Sequence, residues 1–128
     1  MRAVDTNVLV RLLTRDDPGQ LAAAEDFIAP GAWVSHVVLV EASWVLSSVY
    51  EVPPSALATS LEMLLDHQSL VVQDPETVAA AVARFQEKPA LGFSDSLILE
   101  LARKAGHLPL GTFDRELGKV AGTVGLVG

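Results

Sequence analysis

Short apolar runs alternate with stretches of helical spacing along the chain, and this alternation constrains the fold more than any other feature. The runs are residues 2–5 (RAVD), 32–35 (AWVS), 70–73 (LVVQ), 108–112 (LPLGT) and 123–127 (TVGLV). The first four are each followed by one or two segments whose spacing predicts a helix: from Thr6 onward and 20–29, then 37–50, then 76–88 and 94–105, then a short one at 114–119. Asp16, Asp17, Pro18 and Gly19 break the first of these, Pro30 and Gly31 stop the second, and Gly106 ends the helix at 94–105. Val52, Pro53 and Pro54 end the helix at 37–50 and start another reaching residue 67, which makes a helical hairpin. Strands this short and apolar, separated by helices, belong to a parallel sheet covered on both faces. The expected class is α/β: a mostly parallel central sheet of four to five strands, helices on both faces and a protruding helical hairpin.

At 128 residues the chain suits one domain, 1–128, large enough to bury a core without covalent staples. It has no cysteine, which excludes disulfides, thiolate zinc sites and a cysteine nucleophile. No signal peptide is expected, because Asp5 interrupts the apolar stretch, and no run approaches the ~20 apolar residues of a membrane span. The expectation is a cytoplasmic protein with no membrane partner. A net charge of −7 opposes broad electrostatic binding of nucleic acid, so any contact with phosphates must be local. Carboxylates that hold divalent cations would provide such a place.

Four acids stand out. Asp5 and Asp114 fall at or just past the carboxyl ends of predicted strands, where open parallel sheets gather their reactive groups. Glu41 has Val37, Val38, Trp44 and Val45 as its helical neighbours, which places it on an apolar face. Asp95 has Leu91, Ile98 and Leu99 around it in the same way. Taken singly, Asp5 and Asp114 read as helix caps, Asp95 as an acid favoured by the helix dipole, and Glu41 as a neutralised buried acid. These separate readings leave the expected convergence of four acids on one side of a sheet unexplained. Two carboxylates about 5 Å apart repel by roughly 3 kcal/mol at an effective dielectric near 20. A divalent cation reverses the sign, and an all-oxygen donor set selects Mg²⁺ or Mn²⁺ over zinc.

Other constellations are weaker. His36, His67 and His107 lack metal-ligand spacing and read as surface or capping residues. Nucleotide cradles of the GxxxxGK[ST] or GxGxxG kind are absent, and GFSDS is not a GxSxG elbow. Trp33 and Trp44 read as packing residues, and most of the basic side chains, Arg84 included, as solvated charges. Arg11 and Arg115 are the best candidates for contact with a phosphate.

The motifs VDTNVLVRLL, VLVEASWVL, GFSDSLILELARKAG and TFDREL follow one another in an order and spacing that resembles the PIN domain family across essentially the whole chain. The small size is similar to that of the VapC-like toxins of prokaryotic toxin-antitoxin pairs. This resemblance implies a Mg²⁺- or Mn²⁺-dependent endoribonuclease with Asp5, Glu41, Asp95 and Asp114 as its acidic site and Asn7 and Thr112 as supporting polar groups. It also implies a homodimer, an RNA substrate and a small antitoxin partner. The alternatives are a catalytically silent PIN-fold module that binds RNA or protein, and a receiver-like signalling domain. A receiver would require adjacent acids after its first strand and a lysine after its last, and the chain has Asp5-Thr6-Asn7 and no lysine after Lys119. Asn7 likewise disfavours a DxD phosphatase.

Overall fold

A computed structural model describes residues 1–127; Gly128, the last residue of the expected domain, lies outside them. By internal contacts the chain forms two compact units that divide after Pro75.

The first unit runs β1 (Arg2–Ala3), α1 (Thr6–Thr14), α2 (Pro18–Ile28), β2 (Ala32–Val34), α3 (His36–Ser48), α4 (Pro54–Asp66) and β3 (Leu70–Val72). Its strands lie in the order β1-β2-β3, all parallel, with Arg2 opposite Ala32 and Ala32 opposite Leu70. β2 and β3 alternate buried, exposed, buried, so Val34 and Val72 face inward while Trp33 and Val71 face out. Each helix starts on a local signal. Asp5 caps α1; Asp17 Oδ1 accepts from Gln20 N ahead of Pro18; Ser35 Oγ accepts from Val38 N at α3; Pro54 opens α4. α1 packs on α2 and α3, and α4 packs on α3 and β3, which confirms the hairpin. Leu9, Leu39 and Leu61 are among the largest fully buried side chains.

α3 corrects two expectations. Its buried stripe is Leu39, Ala42, Ser43 and Leu46, and the side chains on its opposite side are out in solvent, with Val37 72% and Trp44 63% exposed. Trp44 is therefore not a packing residue. Val37, Glu41 and Trp44 are spaced four and three apart, so they share that outer side, and Glu41 is exposed with them. A helix that is apolar all round does not disclose its buried face by counting apolar neighbours.

The second unit begins one residue into α5 (Pro75–Glu87) and continues with a 3₁₀ turn at Pro89–Leu91, α6 (Phe93–Ala105), β4 (Leu110–Thr112), a 3₁₀ turn at Leu117–Lys119 and β5 (Thr123–Gly125). β4 and β5 pair in parallel, Leu110 opposite Thr123. Among the described residues all five strands thus pair in parallel, in sheets of three and two. A small core of Leu91, Leu99 and Leu117 is lined by the partly buried Leu110 and Val120. β4 starts at Leu110 and not at 108, since Pro109 has no N–H for a ladder. The helix expected at 114–119 is reduced to its 3₁₀ turn.

Arg84 is not a solvated charge. Its Nε and Nη2 donate to Glu100 Oε1 at 2.9 and 2.6 Å, tying α5 to α6 in a partly desolvated pair. The reason is burial: both side chains are largely out of water, so each needs the other. Among the described residues no helix is long and apolar enough to cross a membrane.

Candidate acidic site

In the first unit, Asp5 stands two residues past the end of β1 and turns the chain into α1 from an extended conformation (φ −91°, ψ 168°). Its Oδ1 accepts from Thr6 N at 2.7 Å, which uses one carboxylate oxygen of two. Asp5 is thus a cap, as one reading of the sequence held, and it is exposed. Thr6 is buried, and its Oγ1 donates to Glu41 Oε1 at 3.3 Å. Thr6 therefore links both acids, its backbone N–H serving Asp5 and its hydroxyl serving Glu41. The sequence reading missed it; the available signal was a hydroxyl at the first helical position, on the side of the helix that carries Leu9 and Val10 inward.

Asn7 is exposed and lines a groove of about 300 Å³ with Val8, Arg11, Gln20 and Phe27. Arg11 is occupied within its own unit. Its Nε donates to Gln20 Oε1, and its Nη1 donates to Asp16 Oδ1 and Tyr50 Oη, both at 3.1 Å. The bond to Tyr50 is the largest of the influences that hold Arg11 in its cationic form. These contacts fix the Arg11 guanidinium at the edge of the groove that Asn7 lines.

In the second unit, Gly92 sits at φ +82° between the 3₁₀ turn and α6, a conformation that favours glycine, and its position sets Asp95 in the first turn of α6. Asp114 stands two residues past β4, as Asp5 does past β1. Its N–H donates to Thr112 Oγ1 at 3.0 Å and its Oδ1 accepts from Leu117 N at 2.9 Å. Thr112 thus supports Asp114 directly. Asp95 is half-buried, and its carboxyl is pushed above the ordinary carboxylate range, first by burial and then by the charge of Asp114. Arg84 and Arg103 turn to Glu100, while Lys88 and Lys119 turn to Glu116.

The structure therefore brings together Asp5 with Glu41 in one unit, through Thr6, and Asp95 with Asp114 in the other. Among the described residues no group of three or more His, Asp or Glu side chains is arranged to hold a metal ion. The donor chemistry of Asp95 and Asp114 nevertheless fits a hard divalent cation. Mg²⁺ is commonly held by one or two carboxylates, with water and substrate phosphates completing its octahedron. A half-buried carboxylate whose shift arises from burial and a second carboxylate is one that a cation would relieve.

The remaining motifs support no other chemistry. Ser96 is fully buried and its hydroxyl donates to Gly92 O at 2.8 Å, so it is not an exposed nucleophile. His67 Nδ1 accepts from Ser69 N at 3.0 Å and His36 Nε2 lies 2.7 Å from Gln73 O, both local backbone contacts.

Neither a curated protein nor a solved structure matches the chain. A family model does: the PIN domain, over residues 2–123, a span that runs through both units. PIN domains are generally nucleases that act on nucleic acid and typically use divalent metals. With 122 consecutive positions of its 128 residues matched, residues 2–123, the chain belongs to the PIN domain family.

Proposed function

We propose that the protein is a Mg²⁺- or Mn²⁺-dependent endoribonuclease. The observation that carries the reading is the family match over residues 2–123, and the second unit supports it: Asp114, fixed by Thr112 and the Leu117 N–H just past β4, acts on the half-buried Asp95 in the first turn of α6. Such a pair is costly to keep without a cation and useful with one.

When bound, the cation would neutralise charge at the scissile phosphate and make a water more acidic. Asp95 and Asp114 would hold it, and Thr112 and the Leu117 N–H fix where Asp114 can point. On the family's pattern Asp5 and Glu41 are the further acids of the reaction. On that pattern Glu41, which accepts from Thr6 Oγ1 at Oε1, would take the proton of the attacking water. The water oxygen bonds to phosphorus, the bond to the 3′ oxygen breaks, and the products carry a 5′ phosphate and a 3′ hydroxyl.

The resemblance carries the reading further, to a VapC-like toxin: a cytoplasmic homodimer restrained by a small antitoxin. The small size of the chain and the family match over residues 2–123 support it. The test is purified protein, freed of any antitoxin, against structured and unstructured RNAs with Mg²⁺ or Mn²⁺. Cleavage that disappears in Asp5→Asn and Asp95→Asn, both still folded, is expected. Wild type that leaves every RNA intact in Mn²⁺ overturns the reading.

A further inference from the structure

Beside Asp114 the second unit has a groove of about 550 Å³, within the range of small-ligand sites. We propose that this groove seats one nucleotide of the RNA substrate, with its base on the Phe113 ring and a backbone phosphate at Arg115 and Lys119. The proposal rests on the nuclease reading and adds to it the residues that position the substrate. Three observations carry it.

Phe113 is 69% exposed, between Thr112 and Asp114, so an aromatic face is left in water next to a candidate ligand. An exposed ring of this kind accepts any base, because every base offers a π-face. Second, the groove has a stretch of bare backbone in its wall. Gly118 and Gly125 both line it, and a Cβ added to Gly118 would come within 3.3 Å of Gly125 Cα, so these two segments meet with no side chain between them. Third, charge: in a chain of net charge −7, the groove places the cations of Arg115 and Lys119 against the single carboxylate of Asp114. Lys119 also lies 3.6 Å from Glu116 Oε1, an exposed pair weak enough for a phosphate to displace. Local cations next to the acidic pair answer the difficulty that overall acidity poses for RNA binding.

The test uses the full chain carrying Asp95→Asn to silence cleavage and a fluorescein-labelled ten-nucleotide single-stranded RNA of mixed sequence, read by anisotropy. Adding Phe113→Ala is expected to weaken binding by about tenfold or more, and Phe113→Tyr to retain it. Arg115→Ala should flatten the dependence of log K on log salt by about 0.7 for the lost phosphate contact. In the cleaving protein Phe113→Ala should raise KM more than it lowers kcat. RNA affinity unchanged by Phe113→Ala overturns the proposal and leaves the groove to a ligand of another class. The two readings fail separately. Wild type that cuts RNA with the KM of Phe113→Ala overturns the groove alone, whereas binding that needs Phe113 in a protein that cuts nothing supports the groove and overturns the nuclease.

Discussion

The two acid pairs differ in how the fold accommodates negative charge. Asp5 and Glu41 are exposed and share a donor residue, Thr6, whose N–H and hydroxyl each meet one of them. Water and hydrogen bonds carry those charges. Asp95 is half-buried, and burial and the charge of Asp114 both act against its ionised form. The first pair is thus comfortable as the chain stands, and the second is strained in a way that a divalent cation would relieve. Residues of one chemical type at comparable sequence positions, two past a strand end in the cases of Asp5 and Asp114, acquire different roles from their surroundings.

The largest expected effect separates the pairs by activity. Asp95→Asn should lower RNA cleavage on the order of a thousandfold or more, and Glu41→Gln about a hundredfold, with far-ultraviolet circular dichroism unchanged in both. Equal losses would erase the distinction between a group that holds the cation and one that moves a proton. Next in size is the response to metal. At a hundredfold excess over Kd, a cation that binds only the folded chain stabilises it by about 2.7 kcal/mol, which is several degrees of melting temperature. Mg²⁺ or Mn²⁺ should raise Tm by that order in wild type and leave Asp95→Asn unmoved. A full metal response in Asp95→Asn, lost instead in Asp5→Asn, would transfer the binding role to the first unit.

Much of the fold was legible because its signals are local. Pro54 and Gly106 mark the helix ends they were expected to mark, the second helix begins at Pro18 and not at residue 20, and apolar runs at 32–35 and 70–73 became β2 and β3. The division of the strands into two sheets was not legible, because it depends on contacts between distant segments. Glu41 shows the same limit at the candidate site. Its apolar neighbours suggested a buried acid, but α3 buries the stripe of Leu39, Ala42, Ser43 and Leu46, and the small Ala42 and Ser43 carry little hydropathy signal of their own. Asp95 was better placed by its sequence, since Leu91 and Leu99 beside it are buried. The Arg84–Glu100 pair was invisible, as two charges 16 residues apart on different helices have no periodic signature.

A smaller effect probes the first pair. Thr6→Val keeps the shape of a buried β-branched side chain and removes the hydroxyl that meets Glu41. Glu41 is exposed and regains water, so the loss should be about 1 kcal/mol or less, measured by urea denaturation. Cleavage should fall by no more than about fivefold, because orientation is lost but the acid remains. A fall comparable to that of Glu41→Gln would show that Thr6 takes part in the proton transfer.

The smallest expected effect has the most informative sign, and it concerns the metal-free protein. Because the folded chain raises the Asp95 pKa, it binds that proton more tightly than the unfolded chain does. The stability associated with Asp95 is therefore fully present below the ordinary carboxylate range and is lost as pH rises through the raised value. Asn has no proton to lose. In EDTA, Asp95→Asn should match wild type at acid pH and exceed it slightly at neutral pH, the margin limited because water screens a half-buried group. Saturating Mg²⁺ should reverse the order at neutral pH, since wild type then gains and the variant does not. An Asp95→Asn protein less stable than wild type in EDTA at neutral pH would mean that the helix dipole, and not burial and Asp114, governs Asp95.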